Sequence, residues 1–486
     1  MKYFSLLLAI PILLASRSFA QTEVDLYRYS NTFNEGSARF EAMAGSFGAL
    51  GADIGCARIN PAGFARYSTS QFSFGLNTVT SVNKIDFQGA MTNSTATKLR
   101  LANIGFVITT DRSTKREGFL YQQVGFGYTG VANFNNKWNY SGQQFESLLD
   151  GFSSQAAGIA PIELATYFPF SSSLAYETYA IDYDGSNYTP RLTSGDMLHA
   201  RSVETKGGIN ELHFSYSANF LNKLYLGANV GVQFLRYEEN TLHHENLIDT
   251  VGVSLRSFDY TYNLATKGTG TNLKIGAIYL PTESFRLGLA FHTPTYFELT
   301  DKWNANMTAT HSDGIYTVPT TLIPSGDYKY RLRTPARIIG SIAYVFGTKG
   351  CINIDLEYLD YRWANFKSTT DETYAPYDFV PENKAADLRF TSALNMRIGG
   401  EIAFRTHYFL RAGYAYFPKG DLAIRDFGGK ADYLYSGGIG VRWNKWTFDA
   451  TAKSLQQTKS YTAFQGSTAN VRTNQVSIVL NAQFKF

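Results

Sequence analysis

Strict alternation at the C-terminal end constrains this chain more than any other feature. Val476, Ile478, Leu480, Ala482, Phe484 and Phe486 share one face of an extended segment. Gln475, Ser477, Asn481, Gln483 and Lys485 share the other, and Val479 alone breaks the pattern. Successive side chains of a strand point to opposite sides, so such a segment has one apolar and one polar surface. The pattern recurs. Leu212, Phe214, Tyr216, Ala218 and Phe220 alternate with Glu211, His213, Ser215, Ser217 and Asn219, and Leu224 to Phe234 form a second such face after a short break. Segments beginning at Ile352 and Trp446 repeat it.

Strands that are apolar on one side and polar on the other fit a barrel that faces lipid outside and a polar lumen inside. No run approaches the roughly 18 apolar residues a spanning helix needs. Mean hydropathy is only −0.20, and an alternating barrel averages to such a value. Aromatic content settles the class: 15% of the chain is Phe, Tyr or Trp, and 42 residues are Gly, as suits aromatic girdles and a tightly packed wall. The net charge is +4, of which Lys2 and Arg17 lie in a leader, so nothing favours nucleic acid as a partner.

Residues 1–20 have the form of an export signal. Lys2 gives a positive start, Phe4 to Leu14 an apolar core, and Ser18-Phe19-Ala20 a small-x-small cleavage site. The expected mature chain begins at Gln21. Barrels of this kind place short turns in the periplasm and long loops outside. Short turns are expected at 444–445, 406, 347–349, 281–283, 221–222 and 113–117. Long connections are expected at 460–471, 418–431, 368–384, 301–327, 241–268, 139–205 and 89–97. The fold class is therefore all-β: a 14-stranded antiparallel transmembrane β-barrel over 70–486, with a large extracellular insertion at 139–205. The strand-like stretch 255–264 is assigned to an outer hairpin or to an extension of the strand at 269–281, since a separate strand would break the even count. The segment 21–69, rich in Gly, Ala and Ser, has the size of a hatch, or plug, folded into the lumen.

Two stretches resemble a known family. Gly48-Ala49-Leu50-Gly51-Ala52-Asp53 and Asn60-Pro61-Ala62-Gly63-Phe64-Ala65 resemble the N-terminal hatch signature of the long-chain fatty acid transporter family (FadL, OmpP1 and TodX). Gly268 to Tyr279, running through Pro281 into Arg286 to Thr295, resembles a central hairpin of the Bacteroidetes-type branch. The terminal Phe486 resembles the aromatic signal read by the barrel assembly machinery. The resemblance implies a Gram-negative outer membrane with its lipid around the wall, and passive uptake of fatty acids or similar hydrophobic small molecules. It also implies an apolar lumen pocket, a movable hatch and a lateral exit at a kink in strand three. A monomer without cofactors is expected. The alternative is a non-transporting barrel that partners a secretion system and binds cargo at the cell surface. A general porin conflicts with a lumen-sized hatch, and no nucleophile, zinc or phosphate-loop signature marks an enzyme.

The candidate residues each have two readings. In the hatch, Asp53, Asn60, Pro61, Ala62 and Gly63 form either a movable or a fixed plug. Arg331, Arg333 and Arg337 share one face, placed inward by alternation. They either pair with a ligand carboxylate or form a charge ladder with Asp355 and Glu357. His292 also points inward, as a ligand contact or a structural hydrogen-bonder. Pro294, with Pro335 beside it, marks an opening or a tolerated bulge. Gly125, Gly127 and Gly130 either allow strand three to kink or make room in the lumen. Cys56 and Cys351 could meet as a disulfide in the oxidising periplasm or remain two thiols. His243-His244-Glu245 could bind metal or haem, but reads better as an exposed polar loop, and no metal site is expected.

Overall fold

The computed structural model describes residues 22–486 apart from 34, 113–117, 193–196, 250–251, 406, 427 and 465–466. The expected leader, the start at Gln21 and the turns at 113–117 and 406 lie outside the described residues. Fourteen wall strands follow in antiparallel order. They are β1 (Gln71–Phe87), β2 (Ala90–Asp111), β3 (Phe119–Asn133, then Asn136–Gln144), β4 (Met197–Phe220) and β5 (Leu224–Leu247). Next come β6 (Leu255–Tyr279), β7 (Phe285–His292, then Tyr296–His311), β8 (Ser325–Arg333, then Arg337–Val345) and β9 (Gly350–Asp360, then Asn365–Ser368). The last are β10 (Ser392–Phe404), β11 (Tyr408–Pro418), β12 (Ala431–Trp443), β13 (Trp446–Phe464) and β14 (Ser467–Lys485). β14 pairs with β1 from Gln71↔Lys485 to Asp86↔Asn470, which closes the barrel. Closure joins the first strand to the last, so neither is left as a free edge in lipid.

Phe74, Phe214, Leu226, Leu289, Ile354 and Ile478 illustrate the outward belt, all large, apolar and exposed. Water would penalise such a surface; hydrocarbon does not. The turn at 221–222 is as expected, with both Leu221 and Asn222 at positive φ.

Several outer connections are shorter than expected because the strands run on. β1 and β2 meet at Phe87↔Ala90. β6 is one strand from Leu255 to Tyr279, so 255–264 is an extension rather than a hairpin. β3 and β4 stay paired from Asn136↔Thr205 to Gln144↔Met197, so the insertion leaving the wall is 145–196 rather than 139–205. It carries α3 (Leu148–Ala156), whose cap residue Ser147 accepts from Leu149 N. Above the belt both strand faces meet water or protein, so the apolar contrast that reveals a strand disappears while the backbone ladder continues.

Residues 22–67 fill the lumen. They comprise α1 (Glu23–Ser30), α2 (Ala38–Ala42) and two 3₁₀ turns, Ile54–Arg58 and Pro61–Arg66. Leu26, Tyr27 and Tyr29 of α1 pack against inward residues of several strands, among them Leu235, Phe297 and Leu332. Farther toward the periplasm, Phe40, Phe47, Ile54 and Phe64 form a second cluster with Val107, Ala290 and Ile339 of the wall.

Candidate functional site

The lumen segment is built from local caps and then fastened to the wall. Asp53 accepts from Gly55 N (2.8 Å) and Ser37 Oγ (2.7 Å), opening the first 3₁₀ turn. Asn60 opens the second by accepting from Ala62 N, and Pro61 sits at the first turn position, where no donor is needed. The Asn60 amide also donates to Gly48 O (2.7 Å) and to Ala277 O of β6 (3.1 Å). Gly63 is tight: a Cβ there would lie 2.8 Å from Cys56 Sγ and 3.1 Å from Gly51 Cα. Asn60→Ala removes the cap and both amide bonds and leaves buried acceptors unpaired, which costs about 1–3 kcal/mol. A lowered urea midpoint of the purified barrel checks this.

Charges supply the remaining anchors. Arg58 approaches Glu211 of β4 at 3.6 Å, and Glu211 pairs with Lys274 of β6 and accepts from Gln233 Nε2 (2.7 Å). Arg39 meets Glu401 of β10 at 3.0 Å, and Glu401 continues to Arg411 and Asp449. Glu41 meets Lys453 at 2.5 Å, and Glu35 meets Arg100 at 2.7 Å. Asp355 of β9 accepts from the backbone N–H of Phe47 (3.0 Å) and Gly48 (3.1 Å).

The predicted residues fare differently. Arg331 and Arg333 do not face the lumen. Tyr330 and Leu332 take the inward positions and are buried, while the two arginines donate to Ser368 O and Trp363 O at the strand surface. The cause is the break at 334–336, beside the break at 293–295: each inverts which face points inward. Arg337, past the break, does point inward, yet it pairs with Glu357 (2.6 Å) and donates to Ser30 O at the end of α1 (2.6 Å). The charge ladder with Glu357 thus holds for Arg337 alone. His292 donates through Nε2 to Ile59 O (2.9 Å), a structural bond to the hatch segment. Pro294 lies in the paired break, which Thr334 N→Thr295 O (3.0 Å) and Thr295 N→Thr334 Oγ1 (2.9 Å) hold together, so no gap opens there.

Cys56 and Cys351 are both free thiols, packed in the same apolar cluster, so the disulfide is not formed. Burial pushes the Cys56 thiol up, away from the reactive thiolate. Gly125 makes room for Phe64, whose ring would lie 2.4 Å from an added Cβ. Gly127 does the same for His213 and Gly130 for Glu35.

Strand three does kink. β2 and β3 share a ladder only from Asp111↔Tyr121 to Asn103↔Thr129. Beyond it β3 shifts register between Gly130 and Ala132, breaks, and resumes paired with β4 alone. Its outer arm lies against the inner faces of β1 and β2: Asn83 of β1 donates to Asn136 Oδ1 and Lys137 O, and Ser94 of β2 donates to Lys137 O. Side chains therefore close this seam. Arg100 stands at its start, donating to Ala132 O (3.2 Å) while paired with Glu35 of the hatch segment.

Above the hatch segment lies a lumen cavity of about 230 Å³. Tyr27, Phe33, Phe134, Trp138, Leu455 and Tyr461 contribute to its lining. Arg28, Arg389, Arg397, Lys419 and Lys453, also at the cavity, each pair with an acid. Lys459 faces the same cavity, and among the described residues it has no ion pair. A larger concavity of about 990 Å³ belongs to the lipid-facing belt around Tyr216, Leu226 and Ile275, over the small Ala218, Ala228 and Ala277.

Residues 30–486 match the profile of a family described as outer membrane protein transport protein (OMPP1/FadL/TodX). The chain belongs to this family. It is an outer-membrane barrel of the FadL/TodX type, a fold of transporters for hydrophobic compounds. Solved FadL/TodX-type structures agree in fold. A Pseudomonas aeruginosa FadL homologue is 14% identical, with TM-score 0.57, over 94% of this chain and all of that one. The Pseudomonas putida toluene transporter TodX is 15% identical, with TM-score 0.51, over 93% of this chain and 99% of its own. The Ralstonia pickettii toluene transporter TbuX is 15% identical, with TM-score 0.50 and the same coverage. No curated protein matches the chain by sequence. Glu35, Arg100 and Lys459 carry no signal in the sequence: Glu35 and Arg100 find each other across 65 residues, and Lys459 falls where the alternation fades.

Proposed function

We propose that this family member takes up long-chain fatty acids or similar apolar molecules with an anionic head, without an energy source. One observation carries the reading: the lumen cavity joins aromatic and aliphatic walls to an accessible Lys459 that has no ion pair among the described residues. An alkyl chain gains roughly 0.8 kcal/mol per buried CH₂ from such walls, and a carboxylate gains a charge-assisted bond from the ammonium. Binding of labelled oleate to delipidated barrel is expected to saturate, and Lys459→Gln to weaken it about tenfold, near 1.4 kcal/mol. The aromatic lining supports a second ligand class, neutral aromatic hydrocarbons; TodX and TbuX are toluene transporters. If Lys459→Gln binds oleate unchanged and toluene competes equally in both forms, the neutral class is the better assignment.

The exit in this proposal is the seam between β2 and β3, with Glu35 and Arg100 as its latch. Movement of the hatch segment would withdraw Glu35 and free Arg100. Arg100→Met is expected to keep oleate affinity while releasing labelled oleate faster from reconstituted vesicles. Unchanged affinity and unchanged release together would remove the seam from the pathway.

A further inference from the structure

β4 and β5 rise well beyond the belt. On β5 the outward positions change from Leu226, Val230 and Phe234 to Arg236, and His243 lies nine residues past Phe234, about 30 Å along the strand at roughly 3.3 Å per residue. The stretch read from sequence as an exposed loop is therefore a paired, buried part of the extracellular extension. The register sets His199 directly across from Glu245 and Arg201 across from His243. With period 2, His199, His243 and Glu245 all face inward, and all three are 0% exposed.

We propose that His199, His243 and Glu245 form a binding site for a divalent transition metal, with Zn²⁺ as the best fit. Their ligand atoms all lie within 4.8 Å of one another. His243 Nε2 is 2.7 Å and His199 Nδ1 3.6 Å from Glu245 Oε1. Bonds of about 2.0–2.1 Å in a tetrahedral site place ligand atoms about 3.3 Å apart, so the side chains need only modest adjustment to close on an ion. Two imidazoles and one carboxylate match a zinc site with three protein ligands and one open position.

A second observation points to a ligand. Among the described residues, neither ring nitrogen of His199 and not Nδ1 of His243 has a hydrogen-bond partner. Buried polar atoms without partners are costly and uncommon in folded proteins. The surroundings are those of a metal site. Phe464 and Phe258 pack beside the imidazoles. Glu245 is oriented by Ser147 Oγ (2.5 Å) and Leu148 N (2.8 Å), both of which donate to it at the start of α3. The nearest inward cation, Arg201, is engaged by Tyr461 Oη at 3.1 Å. An ion here would pin the insertion 145–196 to the outer extensions of β4 and β5. His244, between two ligands in sequence, points away and pairs with Asp259, which makes it an internal control.

The experiment uses the mature, tag-free protein in detergent, stripped with a chelator and titrated with Co²⁺ and then Zn²⁺. One Co²⁺ per chain should bind, with the visible bands of a four- or five-coordinate ion, and Zn²⁺ should displace it. His199→Gln and His243→Gln should each weaken binding at least tenfold, and His244→Gln should leave it unchanged. His199→Gln spares the Ser147 and Leu148 contacts, so it separates coordination from anchoring of α3. Heat-dependent gel mobility confirms that each barrel is folded. Zn²⁺ should also slow proteolysis within 145–192 in the wild type and not in His199→Gln. A folded wild-type barrel that binds no Co²⁺ or Zn²⁺ overturns the proposal. So does binding that His199→Gln and His243→Gln retain at wild-type strength.

Discussion

Glu211→Ala is expected to cost about 3–5 kcal/mol, because it removes the carboxylate that two buried cations share. Glu211 is fully buried on β4 and carries Lys274 of β6 and Arg58 of the hatch segment together. Gln233 and Asn272 complete its shell. With the carboxylate gone, Lys274 and Arg58 face each other in a site closed to water. Two measurements follow the effect. The urea midpoint of the purified barrel falls, and Cys56, two residues from Arg58, becomes open to maleimide. The triple change Glu211→Leu, Lys274→Met and Arg58→Met should recover much of the loss, since apolar groups of similar volume often replace a buried ionic cluster without penalty. An unchanged midpoint with Cys56 still silent would show that these charges do not hold the segment.

The second large effect is expected at Gly227. A Cβ there would lie 2.4 Å from the carbonyl carbon of Pro61 and 2.5 Å from Ala62 N, both backbone atoms of the Asn-Pro-Ala-Gly element. Backbone cannot rotate aside as a flexible side chain can. Gly227→Val should therefore leave the wall intact, as valine favours strands, while the element loses its seat. Overpacking of this kind costs roughly 1–3 kcal/mol or more. In planar bilayers the variant should conduct ions more than the wild type, with Cys56 labelled rapidly. Gly340→Val is the matched control, since nothing lies within 4 Å of its Cβ position. Equal conductance in Gly227→Val and Gly340→Val would place the element's seat elsewhere.

The two sites lie on neighbouring inward faces, yet they fail for different reasons. Glu211 acts through charge, so its loss should depend on what replaces its partners. Gly227 acts through space, so only a small residue there can restore the fit. Gly276 is its neighbour in this respect, with Asn60 Oδ1 2.0 Å from an added Cβ.

Much of this was legible in the chain. Lipid demands apolar side chains at every second position, so Phe214, Leu226 and Ile478 could be placed outward from the sequence alone. Asn222 and Pro281 marked the turns at 221–222 and 281–283, and the even count followed from closure. The hatch residues Asn60, Pro61 and Gly63 were recognisable because caps and tight turns depend on near neighbours. The outer strand ends were not legible. Above the membrane no solvent difference separates the two faces: the paired arms of β3 and β4 continued where a loop was expected, and for β6 the extension was only one of two readings.

Long-range and directional features belonged to the tertiary structure. Pro294 and Pro335 announced interruptions, but not that each would invert the strand face; that inversion put Arg331 and Arg333 outside and Phe297 and Leu332 within. Glu35 finds Arg100, Arg39 finds Glu401, and His199 finds His243 and Glu245 only after closure and register bring distant segments together. Alternation reports the solvent on each side of a strand and therefore determined the barrel. Partnership depends on which strand lies beside which, and at what height, and only the closed fold decides that.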